Sequence, residues 1–452
     1  MKPSATVIGA GLAGSEAAWQ IARAGYLVRL VEMRPTRSTP AHKTDRFAEL
    51  VCSNSFKSDL ESTPAGLLKR EMRDLGSLTL AVADRCRVPG GEALAVDREA
   101  FSQGVTEALG ALPNVLLERN EATGEDVERW LQDGPVVVAT GPLTSDGLAE
   151  WLAAKTGSDR LYFFDAVSPT VTAESIDRSV AFAGSRYGKG GDDYLNCPFT
   201  REEYDAFVAA LLAAERAPLH DFEQGVRYFE GCLPIEEIAS RGARSLAFGN
   251  FKPVGLTDPR TGRRPYAVLQ LRPENADRTL YSLVACQTRL KWGEQARVFR
   301  MVPGLQNAEF VRFGVIHRNT YLHAPTVFDR TLRLRNLSAV RCAGQITGVE
   351  GYMESAATGL LAGLWTVLDL SGSEPVEPPA ECVLGSLLAY LADQTERDFA
   401  PMNANWGLFP PLEPPLRDKQ ARRAALAQRA REAFGRWLQD VRAALGSAGP
   451  QP

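Results

Sequence analysis

Three stretches of the sequence predict an α/β chain in which one doubly wound, Rossmann-like domain is interrupted by an insertion. Ala5-Thr6-Val7-Ile8 runs directly into Gly9-Ala10-Gly11-Leu12-Ala13-Gly14, a helix over 15–24 and a strand over 27–31 that ends at Glu32. Some 330 residues later, Ala339-Val340-Arg341-Cys342-Ala343-Gly344 is a second glycine-ended strand, followed by an Ala/Gly-rich helix through Leu368. Between 156 and 305 the character changes to scattered aromatics, Pro-bounded short strands and one amphipathic helix over 201–214, as expected of an inserted α+β domain.

The first unit is βαβ, and each glycine has its own task. Gly9 permits the tight turn, Gly11 lets backbone amides approach a pyrophosphate, and Gly14 lets helix and strand pack closely. Glu32 lies 18 residues beyond Gly14, where a carboxylate can accept both ribose hydroxyls of an adenosine. A glycine-rich turn with no ligand is the alternative. A helix over 97–109 and strands over 114–117 and 134–141 continue the same sheet. The second glycine turn, at Gly344, Gln345 and Gly348, opens a helix whose N-terminal dipole would stabilise negative charge on a reduced flavin. Small residues Ala356, Ala357, Gly359, Ala362 and Gly363 suit close packing against a sheet or cofactor. One cofactor gripped by two distant segments is the pattern of FAD-binding domains of the glutathione-reductase type. The expected division is 1–155 and 306–375 for that domain, 156–305 for the insertion, and 376–452 for a C-terminal helical region.

Composition bounds the function. The 452 residues are 44% hydrophobic and 23% charged, with 51 basic against 55 acidic side chains and a net charge of −4. That excludes a polycation, so any nucleic acid must be held by a local basic surface. The stretch 417–442 offers one, with eight Arg or Lys and three Asp or Glu on a helical pattern whose apolar stripe is Leu426, Ala430, Phe434, Trp437 and Val441. A solvated face of a packing helix explains the same charges. No apolar run approaches the about 20 residues needed to span a bilayer, and the N-terminus lacks a cleavable leader pattern, so a cytoplasmic location is expected. The cysteines at 52, 86, 197, 232, 286, 342 and 382 are scattered and never spaced as C-x-x-C, and no H-x-x-H exists, so neither a disulfide framework nor a catalytic metal is expected.

Two thiols stand in polar loops. Cys52 has Ser53, Asn54 and Ser55 beside it, with Lys43 and Lys57 as nearby cations that could favour a thiolate; Cys232 is pinned between Gly231 and Pro234 ahead of Glu236 and Glu237. By composition alone each reads as a small buried hydrophobe more readily than as a nucleophile. His317, just before the second flavin-type segment, could stack on a planar ligand or transfer a proton, or simply bond a backbone carbonyl.

With these residues in hand, the blocks ELVCSNS (49–55), YLNCPFT (194–200), FEGCLPIEE (229–237), KPVGLTDPRTGRRPYAVLQLRPEN (252–275), KWGEQARVFRMVPGL (291–305), FGVIHRNTY (313–321) and CAGQITGVEGYMESAATG (342–359) together resemble the folate- and flavin-dependent tRNA (uracil-5-)methyltransferases. The resemblance implies FAD carrying methylene and hydride, 5,10-methylenetetrahydrofolate as one-carbon donor, NADH or NADPH as reductant, and the T-loop uridine of tRNA as acceptor. It implies that Cys232 is the family's nucleophile, Cys52 its second functional cysteine, and His317 the ring that stacks the folate pterin against the flavin. The arginines over 260–272 and 417–442 become candidate phosphate contacts. Alternatives are a flavin oxidoreductase of a small metabolite, a wobble-uridine-modifying flavoprotein, and a non-enzymatic flavin-binding RNA scaffold.

Overall fold

The structure is a computed structural model that describes residues 4–39, 41–157, 161–166, 168–188, 191–217, 233–314, 316–393 and 399–446; for 161–166, 316–320 and 393 the backbone alone is described. Strand Ala5–Ile8 sits at the middle of a six-stranded sheet. It pairs in parallel with Val28–Val31 on one side and Val136–Val138 on the other. Val115–Glu118 extends the sheet beyond Val28–Val31, Leu337–Cys342 extends it beyond Val136–Val138, and the short Arg333–Leu334 closes that edge antiparallel. The Val-rich strand Val136–Val138 is buried throughout, as a central parallel strand covered on both faces must be. The distant strand over 339–344 thus lies two places from the first, joined by tertiary pairing alone.

Helix Leu12–Arg23 begins three residues earlier than the sequence suggests, because Gly11 already acts as its N-cap. It packs on the long helix Tyr352–Leu370, and the small residues of that helix explain how closely. A Cβ on Gly359 would lie 2.0 Å from the Ala13 carbonyl oxygen, and one on Gly363 2.8 Å from that of Ala17. The stripe therefore receives another helix, rather than the sheet or cofactor that the sequence suggested.

A second core belongs to an antiparallel sheet in the order Phe182–Ala183, Leu195–Phe199, Ala267–Pro273, Leu280–Leu283, Thr170–Thr172 and Phe310–Arg312. Helix Arg201–Ala213 covers it, opened by a reciprocal Thr200 and Glu203 capping box and burying Tyr204, Phe207, Val208 and Leu211. Phe251 stacks on Phe199 there, 6.0 Å between centroids. Entry and return run side by side, Leu161–Ala166 pairing with Ile316–Tyr321 so that His317 faces Asp165 in register. The antiparallel sheet thus reaches past residue 305, to Arg312.

The C-terminal helix Lys419–Gly446 buries Leu426, Ala430, Phe434, Trp437 and Val441, and the Trp437 indole N–H donates to the Val376 carbonyl at 3.1 Å. Among the described residues no helix is long and apolar enough to cross a membrane, and no cluster of His, Cys, Asp or Glu could hold a metal.

Candidate cofactor site and thiol loop

Both glycine turns open on one cavity of about 490 Å³, a size typical of ligand sites. Gly9, Gly11 and Glu32 line it from the first turn, Gly344, Gln345, Gly351 and Tyr352 from the second, and Cys52 from a third segment. The first turn is built by close approach. Gly9 takes φ +94°, and a Cβ there would sit 2.5 Å from the Ala139 carbonyl oxygen. A Cβ on Gly14 would come within 1.7 Å of the Gly9 oxygen, so Gly14 sets helix against turn and does not reach the cavity. Gly11 is the contrast: nothing lies within 4 Å of a Cβ placed on it. That open space, beside helix N–H groups without intrahelical acceptors, suits a pyrophosphate.

Glu32 is buried and already engaged. Its Oε1 accepts from the Arg34 N–H at 3.1 Å and Nε at 2.8 Å, and its Oε2 accepts from the Ala10 N–H at 2.9 Å. Burial alone would raise its pKa, but the Arg34 bonds and charge, with the Ala10 N–H, outweigh that and hold it below the ordinary carboxylate value. A carboxylate has about four acceptor sites. Three are taken, which leaves room for one ribose hydroxyl on Oε2 rather than the two that the spacing suggests.

In the second turn Gly344 takes φ +81° and donates its N–H to Thr358 Oγ1 at 2.8 Å, and a Cβ there would meet the Ala13 methyl at 3.0 Å. The two turns therefore touch. Gln345 donates to Glu350 at 2.9 Å. Gly348, at φ +85°, faces the Phe399 ring and lies off the cavity wall.

Cys52 lies against Tyr352, 300 residues away. The Tyr352 hydroxyl accepts the N–H of Cys52 at 2.8 Å and of Ser53 at 3.2 Å, and lies 2.9 Å from Cys52 Sγ. Two N–H donors fill the oxygen's acceptor capacity, so the hydroxyl proton is left to point at sulfur. Burial, reinforced by Cys52, pushes the Tyr352 pKa well above that of a free phenol, which keeps that proton in place. Lys57, a cation expected to act on Cys52, instead pairs with Glu354 at 3.6 Å. The positive charge near the thiol comes from the other domain and from Arg98. Arg272 donates from Nε to Asn54 and from Nη2 to Ser53, both at 2.9 Å, and Arg98 donates to the Leu50 carbonyl at 2.7 Å while pairing with Glu274. Burial would raise the Glu274 pKa, but Arg98, Arg312 and Arg272 pull it down to about 2.

Of the other expected residues, Cys232 lies outside the described residues, and His317 is described in backbone only. Arg272 is drawn into the cavity wall by Asn54 and Ser53, away from the outward phosphate contact that the sequence suggested, whereas Arg260 stays exposed while pairing with Asp258 at 2.8 Å. Arg263 and Arg264 remain exposed, as do Arg422, Arg423, Arg436 and Arg442 on the C-terminal helix. Tyr352, Arg98 and Arg312 escaped the sequence reading, because nothing local marks a partner hundreds of residues away.

Comparison with known proteins agrees with this architecture. The family described as "Glucose inhibited division protein A" matches residues 4–374. A relative from Moorella thermoacetica, named methylenetetrahydrofolate--tRNA-(uracil-5-)-methyltransferase TrmFO, is 54% identical over 96% of this chain and 98% of its own. One of the same name from Geobacter sulfurreducens is 54% identical over 98% of this chain and 100% of its own. The solved structure of Aquifex aeolicus GidA superposes with a TM-score of 0.68 at 16% identity, covering 98% of this chain and 75% of that one, a likeness of fold. On a match of this extent, the chain belongs to the TrmFO family, within the wider glucose-inhibited division protein A group.

Proposed function

We propose that the chain is a methylenetetrahydrofolate- and FAD-dependent tRNA (uracil-5-)methyltransferase that converts the T-loop uridine to ribothymidine with NADH or NADPH as reductant, working in the cytoplasm. One observation carries the reading: two glycine turns and a cysteine loop from three distant segments share one cavity, in a chain 54% identical over nearly its whole length to relatives of that name.

The cavity suits FAD. The N-terminus of helix Leu12–Arg23 and Gly11 would take the pyrophosphate, Glu32 Oε2 a ribose hydroxyl, and the turn at Gly344 and Gln345 the isoalloxazine end. When bound, the flavin supplies one-carbon and hydride transfer. The protein's own task is to activate uracil, whose carbon 5 is a poor nucleophile. A cysteine thiolate adding at carbon 6 makes an enolate whose carbon 5 attacks the electrophilic methylene; loss of the carbon 5 proton and of the one-carbon carrier leaves an exocyclic methylene, and hydride addition to it makes the methyl group as the thiolate departs. Cys232 is the proposed nucleophile and Cys52 the second functional thiol. His317 would stack the folate pterin. The target base must leave the tRNA fold, which costs a few kcal/mol of unstacking. Phosphate contacts from Arg263, Arg264 and the exposed arginines of Lys419–Gly446 would offset it.

Incubation of the purified protein with undermodified tRNA, methylenetetrahydrofolate and NAD(P)H should yield ribothymidine, and Cys232→Ala should abolish it. Flavin turnover with NAD(P)H that is indifferent to tRNA and folate would contradict the proposal and favour a metabolite oxidoreductase.

A further inference from the structure

Among the described residues the most exposed large apolar side chain is Phe248, at 76%, followed by Tyr187 at 66%. Both belong to the inserted domain, and both stand on firmly held backbone. Phe248 ends the short helix Ser245–Phe248, whose Leu246 and Ala247 are buried, and Ala247 donates its N–H to the Tyr204 hydroxyl at 3.1 Å. The chain re-enters the core at Phe251, whose carbonyl accepts from the Val268 N–H at 2.8 Å. The ring at 248 is thus left outside by an anchored turn. Tyr187 packs on the loop that follows: its N–H donates to the Gly255 carbonyl at 3.0 Å, and a Cβ on Gly255 would meet its ring at 3.0 Å. A ring on a fixed turn loses little freedom when a ligand covers it.

Positive charge surrounds these rings. From 244 to 264 the sequence carries Arg244, Lys252, Arg260, Arg263 and Arg264 against a single acid, Asp258. All five cations are exposed, whereas the acid is buried and paired with Arg260 at 2.8 Å. Among the described residues, no ion pair holds the other four. On the neighbouring helix Arg201–Ala213, Glu203 is engaged in the capping box with Thr200 and Asp205 pairs with Arg201 at 3.8 Å. Two other surfaces lack one half of the combination. The helix Lys419–Gly446 exposes arginines but buries its rings, Phe434 and Trp437. Trp292 is 63% exposed, yet the cations beside it, Lys291 and Arg297, are paired with Glu215 and Glu294 at 2.6 Å each.

An unpaired nucleotide offers a flat π face with a phosphate on either side, which answers exposed rings and unneutralised cations together. We propose that residues 244–264, with Tyr187, form a docking face for an unpaired RNA loop, Phe248 stacking on a splayed base while Arg244, Lys252, Arg263 and Arg264 take the flanking phosphates. None of these residues lines the cavity, so the face is a contact separate from the place of chemistry. It rests on the reading that the substrate is tRNA, and adds where an unpaired part of that tRNA is held.

The test is fluorescence anisotropy of the purified holoprotein with an unmodified tRNA transcript and with a fully paired RNA duplex, across a salt series. Phe248→Ala should weaken the tRNA complex about tenfold and leave the duplex affinity as it was, while Phe248→Trp, which keeps an aromatic face, should bind tRNA like the wild type. Replacing both Arg263→Gln and Arg264→Gln should lower the slope of log Kd against log salt by about two for either RNA. These side chains are exposed, so each variant should melt with the wild type. Equal tRNA affinity in wild type and Phe248→Ala, or an equal loss on tRNA and duplex, would overturn the docking face and leave the methyltransferase reading standing. A wild-type protein with no affinity for tRNA would overturn both. Self-association of the wild type that Phe248→Ala abolishes, with tRNA binding unchanged, would overturn it in favour of a second copy of the chain.

Discussion

The two walls of the cavity are built on different principles. The glycine wall is backbone: turns from residues 9–14 and 344–351 meet by close approach, and its chemistry lies in N–H groups and helix ends. The thiol wall is side chain: Cys52, Tyr352 and Arg272 line it, and behind them Arg98, Arg312 and the buried Glu274 complete an ionic cluster drawn from five separated segments. The first tolerates loss of a ligand with little change, because its geometry is set by packing. The second depends on every member, since deleting one charge strands the others.

That contrast predicts where substitutions hurt. Glu274→Gln should be the most damaging, costing about 3–5 kcal/mol because it leaves the guanidinium groups without their carboxylate; urea unfolding measures it. The same variant should flatten the acid limb of stability. The Glu274 pKa falls from an ordinary 4.5 to about 2 on folding. Its contribution is therefore present above about 4.5 and lost as pH drops toward 2, a slope the glutamine variant lacks. On the glycine wall, Gly14→Ala forces a methyl to 1.7 Å from the Gly9 oxygen and should cost about 1–3 kcal/mol with loss of flavin retention. Gly344→Ala, strained by φ +81°, should cost about 1–2 kcal/mol. Gly11→Ala should leave the melting temperature of the apoprotein unchanged yet weaken FAD binding, since its Cβ would occupy only the space meant for the ligand. A thermal shift as large as that of Gly14→Ala would erase the distinction between packing glycine and ligand glycine.

The same contrast explains what could be read in advance. Gly9, Gly11, Gly14 and Glu32 are spaced by the local geometry of one βαβ unit, so the chain order itself reports them. The second turn was legible because Gly344 ends a short apolar strand in the same way. Cys52 was legible as a thiol in a polar loop, but the local cation was misleading: Lys57 turns to Glu354, and guanidinium groups from positions 98 and 272 reach the loop instead, at the Leu50 carbonyl and at Ser53 and Asn54. No periodicity connects those positions, because a buried ionic cluster is fixed only when two domains close on each other. The small residues of helix Tyr352–Leu370 were visible too, yet only the fold reveals that their partner is helix Leu12–Arg23. Cys232 and His317 rest on the family resemblance.

Equilibrium titration of the apoprotein with FAD, repeated on Gly11→Ala and Gly344→Ala, tests most directly that both turns grip one flavin. One FAD per chain is expected, with each variant weakening it while remaining folded. A folded protein that takes up no FAD, or a Gly344→Ala variant that binds as tightly as the wild type, would contradict the shared site.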